Sequence, residues 1–127
     1  MRVLDFNDSQ SSATTPTPLN GRTVTGTEGS PEQITAGGGI TVTSNAGDEA
    51  IFVEGSGGSV NITANPQISN GQFLGQIIHL IGKSDTNTLV LEDGDGLSLN
   101  GTCELFNNSI IELFWSGSTW LEISRKE

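Results

Sequence analysis

From Gly37-Gly38-Gly39 onward, the apolar residues come in short runs that are cut repeatedly by glycine, asparagine, serine and aspartate. Each run is long enough for a strand and too short for a helix, so the chain has to bury its apolar side chains through sheets. Ile40-Thr41-Val42-Thr43 and Ser59-Val60-Asn61-Ile62-Thr63 alternate apolar and polar residues, the pattern of a strand with one buried face. Further runs are Ala50 to Glu54, Gln76 to Ile81, Thr88 to Glu92 and Leu97 to Leu99, then Thr102 to Phe106, Ile110 to Trp115 and Thr119 to Ser124. About nine short strands, spaced about ten residues apart, predict an all-β, small antiparallel domain of sandwich or barrel-like form. Composition agrees, with 14 Thr, 11 Ile and 6 Val against five Ala. Asn70-Gly71 and Asn100-Gly101 are expected to supply the positive φ of tight turns, as are Gly94 and Gly96 around Asp95.

Residues 1–35 read differently. Their apolar residues are sparse and unperiodic, and Ser9 to Pro18 has the composition of an extended linker. This predicts an extended N-terminal arm over 1–35 and a β-rich oligomerisation domain over 36–127. Arg2, Val3, Leu4 and Phe6, followed by Leu19, Arg22 and Val24, are the arm residues expected to dock on a partner and order there.

Two runs break the alternation. In Ile77-Ile78-His79-Leu80-Ile81 and Ile110-Ile111-Glu112-Leu113-Phe114-Trp115, apolar side chains must point to both faces of a strand. A domain of this size has few strands buried on both sides, so another copy of the chain is the economical cover. A monomeric sandwich with a thick middle accommodates the same runs. Ile77, Ile78, Leu80, Ile81, Ile111, Leu113, Phe114, Trp115 and Trp120 are accordingly the expected domain core or oligomer contact.

The chain carries a net charge of −10, which repels a phosphate backbone and an anionic bilayer surface, so neither nucleic acid nor membrane is an expected partner. No apolar run approaches the ~20 residues of a spanning helix. The opening Met1-Arg2-Val3-Leu4-Asp5 lacks the apolar stretch of a signal peptide, so folding is expected in a cytoplasm. Cys103, the single cysteine, is expected to be a small buried side chain without a neighbouring base. His79, the single histidine, is expected to be a satisfied strand residue. Glu92-Asp93-Gly94-Asp95-Gly96 places acidic residues at alternate positions as a calcium loop does, yet Leu97-Ser98-Leu99 reads as a strand, so a polar turn is expected. The glycine-rich stretches lack the Lys-Ser/Thr pair of a phosphate-binding loop. No catalytic, cofactor-binding or metal-ligating set is assigned, and the chain is not expected to be an enzyme.

The segment Gly71 to Arg125 carries a resemblance. Gly75-Gln76-Ile77-Ile78-His79-Leu80-Ile81-Gly82, Ser84-Asp85-Thr86-Asn87-Thr88 and Glu92-Asp93-Gly94-Asp95-Gly96-Leu97 lead to a Trp-x-Gly-x-x-Trp hairpin, Trp115 to Trp120. This combination resembles β-structured bacteriophage virion proteins, among them head decoration (cement) proteins and the distal modules of tail fibres. The resemblance implies a homotrimer with a structural or adhesive task and no catalytic residues. A decoration protein of this kind would sit on the outer capsid surface of the virion, assembled in the host cytoplasm, with its arm laid across the junctions of the major capsid protein. A long repetitive shaft, usual for a tail fibre, is missing from this sequence, which favours the decoration reading. The alternative is a tail-fibre or receptor-binding protein that recognises host surface glycans through loops such as Ser84 to Thr88 and Asn107 to Ser109.

Overall fold

The computed structural model describes residues 17–19 and 21–127, and among these there are ten strands and no helix. In chain order they are β1 (Thr23–Thr25), β2 (Glu32–Ile34), β3 (Glu49–Gly55), β4 (Val60–Asn61), β5 (Ile77–Gly82), β6 (Leu89–Leu91), β7 (Leu97–Ser98), β8 (Cys103–Leu105), β9 (Ile110–Trp115) and β10 (Trp120–Lys126). A seven-stranded sheet runs β1-β3-β5-β9-β10-β7, with β2 following β1 along the same edge of β3; a three-stranded sheet runs β4-β6-β8.

The all-β expectation stands, but the antiparallel one is corrected. β1 and β2 pair with β3 in parallel, β3 pairs with β5 in parallel, and so do β4 with β6 and β7 with β10. Only β5 with β9, β9 with β10 and β6 with β8 are antiparallel among these ladders. Glu49 pairs with Ile78, Val60 with Leu89 and Ile40 with Ile68, partners separated by almost one constant length of chain. The chain therefore passes along one wall, turns, passes along a second and a third, and returns one layer higher, as solenoids do. The β9–β10 hairpin then closes the stack in the antiparallel sense. Period-two alternation is common to both senses of pairing, which is why it does not distinguish them.

The second difference is at the N-terminal boundary. Residues 23–34, expected to belong to the arm, include two strands of the main sheet, and Ile34 is buried in the core. Lys83 at the end of β5 donates to Glu28 in the β1–β2 connection at 3.0 Å. The expected strand at Ile40 to Thr43 is reduced to one bridge, Ile40 to Ile68, although Ile40 and Val42 both point into the core.

Inward side chains of all three walls form one core. Ile51, Ile78, Leu80, Ile111 and Leu113 enter from the main sheet, Leu89, Leu91, Cys103 and Leu105 from the small sheet, and Ile40, Ile62 and Ile68 from the third side. Two buried polar residues stitch the turns to this core. Gln67 donates to the carbonyls of Glu92 and Gly94 and accepts from the Glu92 amide, which satisfies both ends of its amide. Glu49 accepts from the Thr43 amide at 2.8 Å, Thr43 Oγ1 at 2.9 Å, the Ser44 amide at 2.9 Å and Thr25 Oγ1. Those bonds offset the cost of burying a carboxylate and pin the 43–49 loop.

The Asp95-Gly96 turn has positive φ at both central residues, 47° and 91°, with paired Gly94 and Leu97 backbone hydrogen bonds, the geometry of a type I′ hairpin. Gly101 also has positive φ, at 93°. Gly71 is a correction: its φ is not among the positive ones, and a Cβ there would lie 2.4 Å from Cγ of Trp115. Glycine is required at 71 because an indole is packed against its backbone, not because the chain turns there.

Candidate interaction surface

The two faces of the main sheet have different fates. Along β5, Ile78, Leu80 and Gly82 are buried while Ile77, His79 and Ile81 are only half-buried; along β9, Ile111, Leu113 and Trp115 are buried while Ile110 and Phe114 are exposed. Strand alternation alone produces this, because every second side chain faces outward. On the outer face the register sets up three cross-strand rows. Ile77 pairs with Phe114 and Phe114 with Leu121, giving an apolar row at one end. Ile81 pairs with Phe52 and Ile110, giving a second apolar row at the other, which ends on β10 in exposed Lys126 opposite Ile110. Between them run Val24, Ala50, His79, Glu112 and Ser124, each in register with the next.

Most of that middle row is polar, and its members are joined. Arg22, just before β1, lies with a guanidinium nitrogen against Nδ1 of His79 and donates to the Glu49 carbonyl at 3.1 Å. Ala50, in register with His79, has no side chain long enough to block that reach. An arginine only donates, so Nδ1 accepts, which assigns the ring proton to Nε2. Nε2 then donates to Glu112 Oε2 at 3.2 Å, and Ser124 Oγ donates to Oε1 of the same carboxylate at 3.1 Å. The result is a hydrogen-bonded rail across the sheet. His79 and Glu112 side chains keep 30 % and 31 % of their exposure, so the rail is open to a partner.

The apolar surface continues past the rows. Ile123, at the bulge in β10, is 49 % exposed and Leu74, in the loop before β5, is 78 % exposed. A Cβ on Gly75 would lie 3.8 Å from Phe114 Cζ, so that loop borders the Phe114 row. Scattered exposed apolar residues are normal for a monomer, whereas contiguous ones in register mark an interaction surface.

The expected contact residues divide accordingly. Ile78, Leu80, Ile111, Leu113, Trp115 and Trp120 belong to the internal core, and Ile77, Ile81 and Phe114 to the outer face. Trp115 and Trp120 lie with ring centroids 5.1 Å apart at 52°, and Trp120 Nε1 donates to the Ser69 carbonyl at 3.0 Å. Of the expected arm residues, Arg2, Val3, Leu4 and Phe6 lie outside the described residues. Leu19 is exposed, Arg22 holds the rail, and Val24 sits in β1. Sequence does not single out Ile110, Leu121, Ile123 or the pairing of His79 with Glu112 as contacts; the only signal for them is the high apolar content of positions 110–115 and 120–123, each interrupted by one glutamate, Glu112 and Glu122.

Elsewhere, ionisable groups serve the fold. At the acidic turn, Asp93 accepts from the Leu99 amide and Glu92 from Thr102 and Asn61. No three potential metal ligands cluster among the described residues. A groove of about 270 Å³ runs between β1–β2 and the 38–43 segment, and Glu32 is its only ionisable lining residue. Cys103 is buried, and desolvation pushes its thiol up to about 11, which keeps it protonated. Arg125 holds the Glu122 carboxyl below the usual carboxylate range through hydrogen bonds of 2.7 and 2.8 Å. No family, curated protein or solved structure matches this chain.

Proposed function

We propose that the chain is a structural virion protein, a homotrimer that decorates the outside of a bacteriophage head and stabilises contacts between major capsid subunits. The observation that carries the reading is the outer face of the main sheet, where Ile110 and Phe114 stay exposed on β9 although Ile111, Leu113 and Trp115 on its other side are buried, and Leu121 stays exposed beside Phe114 on β10. A domain with one closed core and one open apolar face is built to assemble rather than to turn over a substrate. The resemblance of the Gly71 to Arg125 segment to phage virion modules supplies the setting. The remaining surface is strongly acidic: after Gly39 the sequence has eleven acidic and three basic residues, which keeps assembled particles apart by mutual repulsion.

Attachment is assigned to the first twenty residues, since Arg22 and Val24 are engaged with the domain itself. Three such segments per trimer would bind by avidity, each adding modest contacts to a separate capsid subunit. The test is co-sedimentation with heads that lack the protein. The full chain is expected to pellet with heads, and a chain without residues 1–20 to stay in the supernatant while keeping its folded domain. A full chain that ignores heads and adheres to host cells would replace this reading with the tail-fibre one.

A further inference from the structure

The outer face is largely apolar toward both ends of the strands and polar in the middle. A three-fold axis parallel to the strands keeps every row at its own height, so three copies stack as an apolar layer, a polar layer and an apolar layer.

Charge points the same way. Two copies of a chain with a net charge of −10 repel, and association is favoured where formal charge cancels. The middle row offers Arg22, His79 and Glu112, a cation and an anion side by side in a largely apolar surround. Around a three-fold axis parallel to the strands, the Glu112 side of this row in one copy is turned toward the Arg22 side of the next, anion toward cation.

We infer that the Arg22–His79–Glu112–Ser124 rail is the polar layer of a self-association interface, in which Glu112 of one copy faces His79 and Arg22 of the next and thereby fixes the register between copies. The inference rests on the homotrimer reading above and assigns it a surface. The apolar rows supply the attraction, and the rail makes any slipped register costly, because a shift by one row buries Glu112 against isoleucine and phenylalanine. Single buried polar layers set register in other assemblies for the same reason.

The experiment uses the full chain and three variants, with circular dichroism as the check on folding. Equal amounts of His79→Cys and Glu112→Cys chains, mixed, dissociated by dilution and reassembled, are expected to give a disulfide-linked pair that neither variant gives alone; buried Cys103 contributes none. Glu112→Lys is expected to raise the dissociation constant about 100-fold or more, since it sets a cation against the arginine and histidine of the neighbour. Phe114→Ser removes attraction without touching the internal core and is expected to weaken assembly as well. An assembled wild type whose mass survives both Glu112→Lys and Phe114→Ser, or whose cysteine variants fail to link on mixing, overturns this interface alone. A wild-type chain that stays single at micromolar concentration overturns the interface and the homotrimer together.

Discussion

The inner and outer faces of β5 and β9 are made from the same two runs of sequence, yet they do opposite work. Inward, Ile78, Leu80, Ile111 and Leu113 are fully buried against the small sheet and the third wall. Outward, Ile77, Ile81, Ile110 and Phe114 meet nothing in their own chain that buries them completely. The difference teaches that a run apolar on both faces is a statement about two surfaces. One is taken up by folding and the other is the surface proposed for assembly, and a single substitution on each tests that division.

The largest contrast should come from carboxylates placed three residues apart on β9. Ile111→Asp buries an unpaired charge in the core, at a cost of several kcal/mol, about the whole stability of a small domain, and is expected to leave the chain unfolded by circular dichroism. Phe114→Asp is expected to leave a folded chain that no longer assembles. A folded Ile111→Asp or an unfolded Phe114→Asp would break the comparison.

Truncation sharpens it on β5. Leu80→Ala opens a cavity in the core and should cost about 2–5 kcal/mol in urea denaturation, while Ile81→Ala, measured below the assembly concentration, should cost under about 1 kcal/mol.

The face comparison was legible in the sequence because Ile77 to Ile81 and Ile110 to Trp115 cannot place every apolar residue on one side. β9 occupies the expected positions, and most other strands lie within a residue or two of theirs. Three things were not legible. β1 and β2 are Thr-Val-Thr and Glu-Gln-Ile, too short and polar to announce themselves, and they are strands because β3 offers an edge. The parallel stacking depends on partners such as Glu49 and Ile78, whose distance along the chain leaves no local mark. The rail joins Arg22 to His79 and His79 to Glu112, 57 and 33 positions apart, and each looks ordinary in its own strand.

A pH-dependent effect is expected on β10, where Arg125 holds Glu122. A carboxyl held below its ordinary range contributes stability that is fully present above its unfolded-state pKa and is lost as pH falls through the lower folded value. Glu122→Gln should therefore cost about 1–3 kcal/mol near neutrality, and the gap to wild type should close in acid. A gap that stays constant with pH would show that the pair acts by shape rather than charge.

The most direct test of the account is the solution mass of the full chain by sedimentation equilibrium, with and without Ile110→Ser and Phe114→Ser on the outer face. A trimer is expected for the wild type and a folded single chain for the double variant. A wild type that sediments as a single chain across micromolar concentrations, or a double variant that remains a trimer, would contradict it.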